Sequence, residues 1–409
     1  MAARAESVGL SQEKLRHIER FLDERYISSG RLPCAITLVH RRGETALLSA
    51  IGKSDIERNV PIEEDSIFRI YSMTKPITSL AMMILIEEGK AQLDDPVSRY
   101  IPAWRDLAVY AGGSGESGAP FRHKPGRRPM QIVDLMRHTS GLTYGFQQRT
   151  NVDAAYRARK IGDVQMQSLD EMIDALAHVP LEFSPGDAWN YSVSTDVVGY
   201  LVGKISGLPF EEFVTNRILE PLEMTDTSFW LGEERKRERL ASIYTVGRNA
   251  SLTWMGEASN AMHYAPPKLY SGGGGLLSTA ADYLKFCRLM LGRGALGNTR
   301  LLSPKTIELM TANHLPGGKM LSDLSLSLFS EAAYAGIGFG LGFSVMMDPV
   351  ASLIPGSVGE YSWGGAASTY FFIDPKEELI VIFLTQFVPS TFYNLRRELR
   401  TLVYSAFID

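Results

Sequence analysis

Three features of the sequence predict an α+β fold. Short apolar runs bounded by turn residues stand near both ends of the chain, at 35–40 and 45–50 and again at 340–347, 370–373 and 379–384. Between them the periodic segments have helical spacing, and no stretch of the chain repeats another. Strands at both ends with helices in the middle predict one antiparallel sheet built from both termini, covered by helices and interrupted by a mostly helical insertion. The expected division is 1–70 with 271–409 as the sheet domain and 71–270 as a helical domain with lid-like loops. The active site is expected between the two.

Residues 12–28 carry Leu15, Ile18, Phe21 and Leu22 at helical spacing behind Ser11, which reads as an N-cap, with Glu13 in the first turn. The runs 35–40 and 45–50 flank Arg41-Arg42-Gly43-Glu44 and predict a β-hairpin. A short strand over 67–70 then delivers the chain to Tyr71-Ser72-Met73-Thr74-Lys75-Pro76. Proline lacks an N–H and clashes with the carbonyl four residues back, so Pro76 belongs in a first turn. Ser72 is therefore expected at or beside a helix N-terminus. The run 80–86 that follows is apolar nearly all round, which predicts a buried helix ending near Gly89.

Farther along, 112–118 reads as a flexible linker in a surface insertion or mobile lid. Residues 132–138 predict a short helix with Gly141 as its C-cap and His138 as a last-turn cation against the dipole. Helices are expected over 169–178, 197–205, 210–219, 280–291 and 394–406. Pro185-Gly186 turns the chain ahead of Tyr191, and 232–267 reads as irregular.

Composition excludes several function classes. A net charge of -4 gives no electrostatic footprint for nucleic acid or an anionic membrane. Cys34 and Cys287, the only cysteines, lie outside any C-x-x-C pair, so neither a disulfide framework nor a zinc site is indicated. The seven histidines form no His-x-x-x-His or His-Glu-x-x-His, and the glycines at 272–275 lack the lysine of a phosphate loop. No metal or cofactor is expected. No stretch approaches the roughly 20 apolar residues of a membrane span, and the first residues lack the apolar core of a signal peptide. The expectation is a cytoplasmic protein of undetermined oligomeric state acting on a small molecule.

The chemistry gathers at Ser72 and Lys75. Three residues apart on a helix, they share a face, so the ammonium can reach the hydroxyl at the positive end of the dipole. Spacing alone does not establish this, since Ser11 and Lys14 have it too. The apolar helix behind Ser72 distinguishes the second pair. The Gly-x-Ser-x-Gly of common serine hydrolases does not occur.

Ser72-Met73-Thr74-Lys75, Leu93-Asp94-Asp95-Pro96-Val97, His138-Thr139-Ser140-Gly141-Leu142, Pro185-Gly186 before Tyr191-Ser192, Glu220-Pro221-Leu222 and Gly273-Gly274-Gly275-Leu276-Leu277-Ser278-Thr279 stand in order along the chain. Together they resemble the serine β-lactamase and penicillin-binding-protein superfamily, and within it the class C-like family VIII carboxylesterases. The resemblance implies a β-lactamase-like fold and an acyl-serine mechanism. Ser72 would be the nucleophile, Lys75 the lysine that polarises it and Tyr191 the general base. A phenol of ordinary pKa near 10 is a poor base at neutral pH, and a neighbouring ammonium favours its ionised form.

The third motif would be Trp363-Gly364-Gly365, with the N–H groups of Ala366 and Ser72 forming an oxyanion hole. Val193 and Trp363 replace an asparagine and a cation of the penicillin-recognising enzymes, which favours apolar short- to medium-chain esters and leaves β-lactam hydrolysis a weak side activity. Tyr144, Phe146, Trp189, Val193 and Trp254 are candidate pocket residues. An acyltransferase using the same residues and a non-catalytic binding relative are the alternatives.

Overall fold

The computed structural model describes residues 5–116, 119–326 and 335–409. Met1-Ala2-Ala3-Arg4 and the last two residues of the expected linker, Ser117 and Gly118, lie outside them.

An eight-stranded antiparallel sheet organises the chain. Its strands are β1 (Cys34–Arg41), β2 (Glu44–Asp55), β3 (Val60–Pro61), β4 (Ile337–Phe339), β5 (Ser344–Met346), β6 (Tyr361–Gly364), β7 (Tyr370–Asp374) and β8 (Leu379–Leu384). They lie in the order β4-β5-β6-β7-β8-β1-β2-β3, so the N-terminal hairpin meets the C-terminal meander where Leu38 faces Ile382. Successive side chains of a strand point to opposite faces. On one face Ala35, Val39, Val381, Phe383 and Phe372 meet Leu15, Ile18 and Leu22 of α1 (Gln12–Leu22), together with the C-terminal helix. On the other, Ile36, Leu38, Phe371, Ile373 and Ile382 join the main core. Both faces are covered, which is why these strands read as continuous apolar runs.

Three helices matter for the site. From Thr74 to Leu85, α2 (Thr74–Glu87) is buried without a break. Helix α3 (Ser194–Ser206) packs against it, and α4 (Ala280–Leu291) lies on the inner face of the sheet. Helix α5 (Leu395–Tyr404) joins α1 on the outer face. It is tied down by Arg400, which pairs with the buried Glu360 just before β6. The Tyr404 hydroxyl stands 2.7 Å from both Glu360 Oε2 and Asp374 Oδ2.

Several expected details differ. The helix read over 132–138 closes at Met136, because His138 takes a left-handed backbone (φ 58°) and turns its ring inward. Gly141 is therefore not its C-cap; its positive φ lets the backbone pass Phe183, whose carbonyl oxygen would lie 2.3 Å from a Cβ there. The segment read as a linker opens with the end of a strand, Val109–Gly112, paired with Arg122–Lys124. Within the stretch read as irregular, Tyr244–Val246 and Leu252–Trp254 form a small sheet with Phe387–Val388. Ser11 accepts from the Lys14 N–H as the N-cap of α1.

Two expectations test this frame. Ser11→Ala lowers stability by about 1 kcal/mol in urea denaturation, the usual worth of an N-cap, without disturbing the Ser72 end of the molecule. Burial pushes the Glu360 carboxyl up to about 7, against the opposing pull of Arg400. An acid whose folded value is raised contributes stability below its ordinary range and loses it as pH climbs through the folded value. Stability is therefore expected to fall by about 1–3 kcal/mol from this group between roughly pH 4.5 and 7. Glu360→Gln, which has no proton to lose at that position, shows no such loss across that window.

Candidate active site

The Ser72 end of α2 is built by strand pairing and a glycine run. Phe68–Arg69 pairs with Leu277–Ser278, which brings residues 271–275 alongside the first turn of α2. Tyr71 takes a positive φ of 43°, Tyr71–Met73 form a 3-10 turn, and the α-helix starts at Thr74. Pro76 falls in the first turn, where its missing N–H has no intrahelical acceptor to lose. The glycine run is laced to that turn by three further contacts. The Leu276 N–H donates to Thr74 Oγ1 at 3.1 Å, Thr78 Oγ1 to the Gly272 carbonyl at 2.8 Å, and Lys75 Nζ to the Gly273 carbonyl at 2.6 Å.

Lys75 is fully buried, and its ammonium has three acceptors: Gly273 O at 2.6 Å, Tyr144 OH at 3.1 Å and Ser72 Oγ at 3.2 Å. An ammonium has three hydrogens. All three are directed to oxygen, so the lysine in this geometry donates to Ser72. The Tyr191 ring covers the same Nζ, its centroid 4.5 Å away. Tyr191 is delivered by the Pro185-Gly186 turn, where Gly186 N–H binds the Thr139 carbonyl and Asn190 N–H that of His138. Its hydroxyl accepts from the Trp363 indole N–H at 3.3 Å. Burial, with the charge of Asp196 and the neighbouring Tyr191, holds the Tyr144 phenol well above its ordinary pKa.

Gly364 and Gly365 are required by close approach. A Cβ on Gly365 would lie 2.2 Å from Thr369 Oγ1 and 2.4 Å from the Ile70 carbonyl oxygen, and one on Gly364 would lie 2.7 Å from Arg396 Cζ. Arg396 of α5 donates to the Gly365 carbonyl at 2.8 Å. In a trans peptide the N–H points opposite to the C=O. With its carbonyl held by Arg396, the Gly365–Ala366 peptide turns the Ala366 N–H away from α5.

A cavity of about 1230 Å³ opens over these groups, with Ser72, Tyr144, Phe146, Tyr191, Trp363, Gly364, Gly365 and Ala366 in its wall. Phe146, 60% exposed, stacks on Tyr144 with centroids 4.7 Å apart. Three residues expected in the pocket stand elsewhere. Trp189 is fully buried behind Tyr191, stacked on its ring and packed against Phe339, because the Pro-Gly turn directs it into the core. Val193 is buried where α3 begins, and Trp254 sits in the small sheet opposite Tyr244. None of the three lines the cavity.

His138 does not take its expected helix-end role either. It is fully buried among Trp189, Tyr191 and Phe339, with Nδ1 3.2 Å from Ser192 Oγ. Burial, reinforced by Lys75, depresses its pKa well below the ordinary value, so it is a neutral packing group and not a helix-end cation.

Sequence reading missed two contacts. Tyr144 was expected only as a wall, yet it binds the Lys75 ammonium. Asp196 accepts from the Gly273 N–H, and no local signal marks it beyond its place in the first turn of α3. Among the described residues no cluster of three His, Cys, Asp or Glu could hold a metal ion, and no helix is long and apolar enough to cross a membrane.

A sheet covered by helices on both faces, with a buried lysine on a serine at a helix N-terminus, defines a serine hydrolase of the β-lactamase-like fold. The β-lactamase family profile matches residues 15–405, and the chain belongs to that family. It is 37% identical over 365 residues to protein Rv1367c of Mycobacterium tuberculosis, covering 88% of each chain. It is 30% identical over 379 residues to esterase EstB of Burkholderia gladioli, covering 87% of this chain and 86% of that one. Among solved structures it is similar to EstCE1, described as a hydrolase with promiscuous acyltransferase activity. The TM-score is 0.80 at 25% identity, over 96% of this chain and 99% of that one.

The glycine packing gives a direct check. Gly365→Ala must displace backbone, so it is expected to cost about 1–3 kcal/mol of stability in urea denaturation, as overpacking does.

Proposed function

We propose that the protein is a serine carboxylesterase in which Ser72 carries the acyl group, Tyr191 moves the proton and Lys75 is a fixed cation. The observation that carries this reading is the three-acceptor arrangement at Lys75. A lysine donating to Ser72 and to two other oxygens is not placed to take the serine proton, so another group must. Two phenols touch it. Tyr144 is held in its neutral form by burial and by Asp196, whereas the oxygen of Tyr191 accepts a hydrogen bond from the Trp363 indole N–H and its ring lies over the Lys75 ammonium.

Tyr191 as phenolate takes the Ser72 proton as Oγ attacks the ester carbonyl. The carbonyl oxygen becomes an oxyanion received by the N–H groups of Ser72 and Ala366, aided by the helix N-terminus. The phenol then gives its proton to the departing alkoxide, leaving acyl-Ser72 and free alcohol. Water repeats the cycle, passing its proton through Tyr191 to Ser72 and releasing the carboxylic acid. Phe146, Phe229, Ile161, Val164, Leu269 and Met262 in the cavity wall fit apolar acyl groups. Trp363 beside Tyr191 offers no cation for a β-lactam carboxylate, which leaves that reaction a slow side activity.

A second reading, acyl transfer to an alcohol, is favoured by the size of the cavity. Ligand pockets of about 300–1,000 Å³ hold one drug-sized molecule, and this one has room for an acyl group and an acceptor. Relatives named for acyl transfer include acyltransferase calJ of Penicillium decumbens.

Ser72→Ala is expected to abolish turnover of a p-nitrophenyl ester while leaving the protein folded. Lys75→Ala and Tyr191→Phe should each cost at least ~100-fold. Mass spectrometry after a phosphonate ester should show one adduct, on Ser72; a folded protein without it excludes the enzyme. Added alcohols should divert part of the acyl-enzyme to new ester, and hydrolysis indifferent to every alcohol removes the transferase reading.

A further inference from the structure

Asp196 stands in the first turn of α3, 3% exposed, and its bound partners are neutral: Ser271 Oγ at 2.5 Å and the Gly273 N–H at 3.0 Å, both on Oδ1. A carboxylate is rarely buried without a cation. The cation here is one residue away. Gly273 offers its N–H to Asp196 and its carbonyl to Lys75 Nζ, so a single glycine lies between the two charges. The approach is possible only because residue 273 has no side chain. A Cβ there would lie 2.6 Å from Asp196 Oδ2 and 3.0 Å from the Tyr144 hydroxyl. The carboxylate, the phenol that binds Lys75 and the carbonyl that caps it therefore crowd one backbone position.

We propose that Asp196 is a positioning residue for the reaction: it aims the Gly273 carbonyl at the Lys75 ammonium, and its negative charge sets the pH range in which that ammonium and the Tyr191 phenolate coexist. The proposal rests on the reading of Tyr191 as base. The ionisable groups that face one another here are Lys75 from α2, Asp196 from α3, Tyr144, Tyr191 and, behind Tyr191, the neutral His138. A negative charge beside this cluster favours the ammonium and opposes the phenolate. With the charge removed, the lysine loses its proton at lower pH and the phenol ionises at lower pH. Both limbs of a bell-shaped kcat/KM profile then move toward acid, since interacting groups titrate as one unit. A purely structural role moves neither limb.

The experiment is the pH profile of kcat/KM for p-nitrophenyl butyrate with the native protein, Asp196→Asn, Asp196→Glu and Ser271→Ala, each checked for native circular dichroism. Asn keeps an oxygen for the Gly273 N–H and loses the charge. Both limbs are expected to shift down by about one pH unit, with kcat falling more than KM rises. Glu restores the charge and should return both limbs to within a few tenths of a unit. Ser271→Ala removes a hydrogen bond without removing the charge and should leave the limbs in place. Asp196→Ser, a second neutral replacement, is read in the same way if the Asn protein does not fold. Unmoved limbs in a folded neutral variant overturn the proposal, whatever the rate. Tyr191→Phe in the same assay separates the two readings: retention of activity and of the acid limb sinks the base assignment itself, whereas its loss beside unmoved Asp196→Asn limbs sinks only the role given to Asp196.

Discussion

The structure depends on satisfying one buried ammonium. Lys75 has no access to water, and an ionised amine in that position is tolerable only when each of its hydrogens meets an oxygen. The three oxygens come from different parts of the chain: Ser72 on the same turn, Tyr144 from the segment after His138 and Gly273 from the glycine run beside the first turn of α2. Meeting this demand requires the strand pairing at 68–69 with 277–278, the glycines at 272–275 and the loop after His138 to fit together. The lysine organises the site before any substrate arrives.

The same constraint explains what the sequence disclosed and what it withheld. The sheet was legible because β1, β7 and β8 are buried on both faces and so spell continuous apolar runs. The buried α2 was legible for the same reason, and Pro76 marked its start. The glycines at 272–275 stood out in the sequence, but nothing in it pointed to Asp196 and Tyr144, because a glycine does not name its neighbour. Trp189 and Trp254 misled because an aromatic side chain serves a core or a pocket equally well, and only the path of the backbone decides which. Tyr144 was placed in the wall, but its contact with Lys75 depends on a register between segments nearly seventy residues apart.

His138 shows how backbone conformation overrides local rules. A histidine in the last turn of a helix would carry a proton against the dipole. Its positive φ swings the ring into an aromatic nest beside a buried ammonium, and there the neutral form prevails. Arg396 acts in the opposite direction: a side chain on the outer helix α5 reaches through to the Gly365 carbonyl and fixes the orientation of a peptide in the cavity wall.

The junction of β1 with β8 also bears on biosynthesis. Every residue of β1 is buried in the finished molecule, and one of its two neighbours is the last strand of the sheet to be translated. Throughout elongation, β1 must wait with an open hydrogen-bonding edge and an uncovered apolar face, the kind of surface that recruits other unfolded chains. The N-terminal hairpin is therefore the segment for which a chaperone has most reason to compete, and a ribosome that stalls before Leu379 leaves behind an aggregation-prone fragment rather than a partly active enzyme.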